Sequence, residues 1–229
     1  MGERFDYEGD GRTLRGYRAM PDSPNGAAVL VVPAFMGLRE FEMAQCDRFA
    51  AMGYAVLGAD YYGDGWTTDS MEEAGEAMAP LQNDRAALLR RSEAALQTVR
   101  GWADGRVGAM GFCFGAKAVL DLGRAGHLDA AVSIHGVYDR PDFATRAMPP
   151  VLLCHGWNDP LAKPAEFEAL AAELEDHSPD WHALAFGQTG HAFTNPALPG
   201  DGGGMGYQEA SARRTWAAVE AFLAEKLMG

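Results

Sequence analysis

The sequence predicts one α/β domain spanning residues 1–229, with a mostly parallel sheet of seven or eight strands and helices on both faces. Three observations predict it. Short, wholly apolar runs such as AAVLVV (27–32) are what a strand covered on both faces requires. Segments with apolar residues at helical spacing separate those runs, so each strand is followed by a crossover that returns the chain parallel. A length of 229 residues with 48% hydrophobic content suits one well-buried core.

In chain order, FDYEGDGRTLRGYRAM reads as an edge hairpin turning at Asp10 and Gly11. The strand at 27–32 precedes a helix with Leu38, Phe41, Phe49 and Met52 on one side, stopped at Gly53. Residues 54–59 repeat the apolar strand, and 60–65 turn the chain at the carboxyl edge of the sheet. The stretch 71–105 is helical in composition and broken near Pro80, with Leu88, Leu89, Leu96 and Val99 forming a stripe on its second half. Strands follow at 106–110, 130–135, 150–155 and 181–186, with helices at 117–126 and 164–177 between them. A last helix covers 213–228, with Trp216, Val219, Phe222 and Leu223 inward, and the glycine- and proline-rich stretch 195–210 reads as a loop.

Charge and cysteine content exclude several function classes. With 19 Lys and Arg against 32 Asp and Glu the net charge is −13, which opposes binding to nucleic acid or an anionic membrane. Cys46, Cys113 and Cys154 are far apart and form no CxxC pair, so reduced thiols are expected, with neither a disulfide framework nor a cysteine-rich metal site. No run approaches the ~18 apolar residues of a membrane span. The opening MGERFDYEGDGRTLRGY lacks the apolar core of a secretory signal, so a cytoplasmic location is expected. The expected partners are a small molecule and water, with no protein partner evident.

One motif carries chemistry. VGAMGFCFGAKAVL (107–120) sets Cys113 between Gly111 and Gly115, after a strand and before a helix, which is the GxCxG form of a nucleophile elbow. Unpaired amides at the helix start would favour the thiolate there. A nucleophilic cysteine needs a base and the base needs an orienting acceptor. CHGWNDP places Asp159 after a later strand, and FGQTGHAFTNP places His191 after the next. Cys113, Asp159 and His191 stand in the nucleophile, acid, base order of α/β-hydrolases. His155, near Asp159, and His135, near Asp139, are alternative strand-end pairs. For the oxyanion, the backbone amides of Phe114, just after the cysteine, and Phe35, in VPAFMGLRE, stand in the right order. Phe35, Met36, Phe112 and Phe114 would line an apolar pocket.

These segments together resemble the dienelactone hydrolase family, a cysteine-dependent branch of the α/β-hydrolases. The resemblance runs from AVLVVPAFMGL through GYAVLGADYYGDG and VGAMGFCFGAKAVL to VLLCHGWNDP and GHAFTNP. It implies the single-domain α/β-hydrolase fold and hydrolysis of a small lactone or activated ester, dienelactone-like, through a thioester acyl-enzyme and with no metal or organic cofactor. It also implies Cys113 as nucleophile, Asp159 as acid, His191 as base, and the Phe35 and Phe114 amides as oxyanion donors. One position departs: where the best-studied members of the family carry an activating glutamate, this chain has Ala34. That departure motivates the alternative of a non-catalytic small-molecule binding or scaffold protein. Arg39, Arg85 and Arg146 are unassigned candidates for holding a substrate carboxylate.

Overall fold

An eight-stranded sheet runs through the computed structural model, which describes residues 1–200 and 204–229. β1 (Glu3–Gly9) and β2 (Arg12–Ala19) form the antiparallel edge hairpin. They turn through Asp10 and Gly11 at φ of 52° and 70°, the positive pair that a tight hairpin demands. β3 (Ala28–Val32), α1 (Glu40–Ala51), β4 (Ala55–Gly58), α2 (Met71–Asn83) and α3 (Arg85–Arg100) follow. β5 (Val107–Phe112), α4 (Phe114–Arg124), β6 (Ala130–Ile134), β7 (Val151–Gly156), α5 (Pro164–His177), β8 (Trp181–Phe186) and α6 (Glu209–Met228) complete the chain.

The strand order is β1-β2-β4-β3-β5-β6-β7-β8, parallel from β4 to β8. After β3 the chain moves outward to β4, then returns to the other side of β3 as β5. The loops leaving β3 and β5 therefore diverge, opening a crevice beyond the carboxyl ends of these neighbours, where open α/β sheets place their ligands. Strand periodicity divides the core accordingly. Ala28, Leu30 and Val32 face the layer of α2 to α5, while Val29 and Val31 face α1 and α6. Each fully buried large aliphatic side chain in these layers contributes about 1.5–3 kcal/mol.

Several boundaries differ from the sequence expectation for identifiable reasons. α2 continues through Pro80 and stops at Asp84, which ends α2 and caps α3 by accepting the Ala87 amide at 2.9 Å. A proline removes one helical hydrogen bond, whereas a side chain that competes for the next helix's first amides ends the run. α1 starts at Glu40, α4 at Phe114, immediately after Cys113, and α6 at Glu209. Of the stretch 195–210, residues 201–203 lie outside the described residues. No helix among the described residues is long and apolar enough to cross a membrane.

Candidate active site

Cys113 sits between β5 and α4 with φ 53° and ψ −115°, a strained conformation for any residue with a Cβ. The flanking glycines show why the strand and helix can meet so abruptly. A Cβ at Gly111 would lie 2.3 Å from the Gly115 carbonyl oxygen, and one at Gly115 would lie 2.2 Å from that of Pro33. Gly115 thus lets α4 seat directly on the end of β3. Gly115→Ala is expected to cost about 4 kcal/mol and lower the thermal midpoint by roughly 10 °C, because backbone cannot yield as a side-chain tip would. A midpoint within about 3 °C of the parent, measured by calorimetry, contradicts that packing.

Beyond β8, the loop bearing His191 approaches the same edge. Its Nδ1 lies 2.7 Å from Asp159 Oδ2, both residues being buried. The other Asp159 oxygen accepts the Leu161 amide at 2.8 Å, which locks the carboxylate's orientation. The main chain of His191 is held on both sides, donating to Gly204 O at 2.7 Å and accepting from Gly206 N at 2.9 Å. Three glycines allow that approach: a Cβ at Gly156 would meet Gly190 O at 2.3 Å, and one at Gly190 would meet Gly204 O at 1.7 Å. Burial would lower the imidazole's proton affinity, but the influence of the Cys113 side chain and the hydrogen bond to Asp159 outweigh it and hold the pKa at about 10.

The other strand-end histidines are arranged differently. His135 Nε2 lies 3.0 Å from the Thr194 hydroxyl, and Asp139, its sequence neighbour, is taken by Arg85 and Lys117. Burial, reinforced by the charge of His191 across ring centroids 5.1 Å apart, pushes the His135 pKa well below its ordinary value. His155 stacks on Phe167 at 4.9 Å and is also lowered by burial. Of the three, His191 is the one hydrogen-bonded to Asp159.

The loop 33–39 forms the other wall. The Tyr61 hydroxyl donates to Ala34 O at 2.6 Å, and that of Tyr62 to Phe35 O at 2.7 Å. Burial raises both tyrosines, and the charge of Cys113 adds to the rise in each. Asp60 builds the turn that presents them, accepting the amides of Tyr62, Gly63 and Gly65 at 2.8–2.9 Å. The amides of Phe35 and Phe114 donate to no carbonyl or carboxylate among the described residues. Sequence reading placed a turn at 60–65 without assigning these tyrosines. The available signal was their position just past a strand adjacent to β3.

The expected apolar pocket is corrected in part. Phe112 points to the face opposite Cys113, packing against Phe41, His135 and Trp216, because neighbouring strand residues alternate faces. The Phe114 ring is buried against Tyr61, so only its amide is at the site's disposal. Phe35 and Met36 remain half-buried at the loop, with Met36 Sδ 3.1 Å from Arg39 Nη1. Arg39 pairs with Asp69, while Arg85 forks onto Asp121 at 2.8 and 2.9 Å and also reaches Asp139. Arg146 is exposed. A groove of about 580 Å³ between the starts of α1 and α6 reaches Thr194 but none of Cys113, Asp159 or His191.

A model of the dienelactone hydrolase family matches residues 14–227. Protein usf of Aquifex pyrophilus is 26% identical over 240 residues, covering 99% of this chain and all of that protein. Dienlactone hydrolase 1 of Gibberella moniliformis is 27% identical over 78% of this chain and 73% of its own length. Among solved structures, a dienelactone hydrolase-like promiscuous phosphotriesterase from metagenomic libraries superposes with a TM-score of 0.91 at 30% identity, covering 99% and 98% of the two chains.

Proposed function

The chain belongs to the dienelactone hydrolase family and is a carboxylic-ester hydrolase, and we propose that it works through Cys113 as nucleophile, His191 as base and Asp159 as orienting acid. One observation carries this reading: the buried 2.7 Å hydrogen bond between His191 and Asp159, with Cys113, strained into the elbow conformation, acting as the main upward pull on the same imidazole. In the proposed cycle the thiolate attacks the carbonyl carbon and the electron pair moves to the carbonyl oxygen. The Phe35 and Phe114 amides hold that oxyanion. Collapse expels the alkoxide or enolate, which takes the proton from His191 and leaves a thioester on Cys113. His191 then removes a proton from water, the hydroxide attacks the thioester, and the thiolate departs. In a lactone the leaving oxygen stays tethered to the acyl chain, so one ring-opened hydroxy acid results.

The substrate class that fits is a small lactone or activated ester. Ala34 offers no carboxylate to activate the thiol, so the ion pair with His191 and the amino end of α4 supply that role. Dienelactone itself carries a carboxylate. Arg39 and Arg85 already have acidic partners, which favours uncharged esters and lactones over it. A second class, phosphotriesters, is motivated by the likeness to the metagenomic phosphotriesterase; there the same thiolate would attack phosphorus and displace the aryloxide.

Intact-mass measurement during turnover of small lactones, short p-nitrophenyl esters and a p-nitrophenyl phosphotriester tests both. The expected result is a transient acyl mass on the peptide containing Cys113, with p-nitrophenol release from the phosphotriester marking the second class. Turnover with no adduct on Cys113, and unchanged in Cys113→Ala, overturns the mechanism.

A further inference from the structure

One buried side chain touches both residues whose amides are proposed to hold the oxyanion. Tyr61, just past β4, is 1% exposed, and its hydroxyl donates to Ala34 O at 2.6 Å, with Pro33 O more distant at 3.2 Å. Its ring meets that of Phe114 edge-on, with centroids 5.6 Å apart. Ala34 O also accepts the Gly37 amide at 3.0 Å, which closes a turn with Phe35 and Met36 at its corners. Such a turn employs the amide of its fourth residue and leaves that of its second free, which is why the Phe35 N–H is open to a ligand. Ala34 O and the Phe35 N–H belong to one planar peptide and point opposite ways, so a grip on that oxygen sets the line of that hydrogen. The Gly37 bond lies within the loop and cannot stop the loop from tilting as a unit. Tyr61 ties it to the body of the fold: its own carbonyl accepts Arg91 Nη1 at 2.8 Å, and the Tyr7 hydroxyl holds the Asp60 carbonyl at 2.8 Å and amide at 3.0 Å.

We propose that Tyr61 is a positioning residue that aims the Phe35 amide at the oxyanion through its hydrogen bond to Ala34 O, while its ring backs Phe114, which supplies the second amide. The assignment rests on Phe35 being an oxyanion donor. Tyr62 provides the comparison. Its hydroxyl donates to Phe35 O at 2.7 Å, so it holds the following peptide, whose N–H belongs to Met36. The two tyrosines grip one loop at successive carbonyls, and only the grip of Tyr61 falls on the peptide plane that contains the Phe35 amide. Burial raises the Tyr61 pKa well above its ordinary value, so the hydroxyl keeps its proton and remains a donor. A hydroxyl that merely completes a buried hydrogen bond has a different signature: its loss lowers stability without discriminating between reactions at Cys113.

The test compares two reactions of Cys113. Acylation by p-nitrophenyl acetate forms the S–C bond through an oxyanion and expels p-nitrophenolate. Alkylation by iodoacetamide forms an S–C bond at a saturated carbon, expels iodide and involves no oxyanion. In Tyr61→Phe, acylation is expected to fall about tenfold to a hundredfold and alkylation to stay within about twofold, whereas Tyr62→Phe should keep acylation within about threefold of the parent. Tyr61→Met, which fills the space with a flexible chain and no hydroxyl, stands in if Tyr61→Phe does not fold. Equal losses in the two reactions, acylation in Tyr61→Phe within about threefold of the parent, or the same loss in Tyr62→Phe overturns the assignment. Phe35→Pro against Phe35→Ala tests the premise separately. Both lack the ring, but only proline lacks the N–H, and proline suits the first corner of a turn. A proline variant that acylates as fast as the alanine one removes the oxyanion reading and the assignment with it; a slowed proline variant beside an unaffected Tyr61→Phe overturns the assignment alone. Failure of the parent enzyme to acylate at Cys113 removes the nucleophile reading itself.

Discussion

Cys113→Ala is expected to reduce turnover of a short p-nitrophenyl ester by about 10⁴-fold or more, with a thermal midpoint equal to or above that of the parent. The first effect follows from losing the atom that bonds the acyl group. The second follows from the backbone, because alanine adopts the φ of 53° at no greater strain than cysteine and adds no atom to the turn. His191 supplies a further signature. Its folded pKa of about 10 lies above the ordinary value of 6.5, so its contribution to stability is full below pH 6.5 and lost as pH rises through about 10. Cys113 provides the largest part of that upward pull, so the alanine variant should show a flatter stability profile between pH 6.5 and 10 by calorimetry. A variant that keeps a tenth of the parent's activity is incompatible with covalent catalysis at this residue.

Asp159→Asn is expected to lower kcat by about 10³–10⁴-fold while preserving the fold. The reason is directional. The Leu161 amide, 2.8 Å from Oδ1, requires an acceptor there, so asparagine must turn its NH2 toward His191. The 2.7 Å contact then asks Nδ1 to accept instead of donate, which moves the imidazole proton to Nε2. A proton already on Nε2 blocks that nitrogen from taking one from Cys113 or water. Rates measured across pH, with circular dichroism as the fold control, decide the matter; a loss below tenfold means Asp159 is only a turn residue.

Much of this arrangement was legible in the residues. Wholly apolar runs identified the buried strands, because a strand covered twice has no polar face to show. The glycines around Cys113 and the loop positions of Asp159 and His191 could be read because strand ends are marked by turn residues. Facing direction was less legible. Phe112 and Phe114 flank Cys113 in the chain, yet one lies below the sheet and the other under α4, since a strand-to-helix turn sends three successive side chains three ways. Pro80 looked like a break, but Asp84 ends the helix. Tyr61 and Tyr62 had no motif, because their contacts to the loop after β3 arise from β3 and β4 being neighbours, a relation of space that spacing along the chain does not encode.

The close approaches at Gly111, Gly115, Gly156 and Gly190 mean that the frame of the site is built from main chain resting on main chain. Such a frame is blind to most side-chain identities around it and intolerant of any new Cβ within it. Variation is thereby channelled outward, to half-buried side chains such as Phe35 and Met36, whose exchange adds no Cβ to the frame. Substitutions there leave the main-chain contacts of the frame in place. The site's evolvability resides in the separation of a glycine-built frame from a replaceable apolar border.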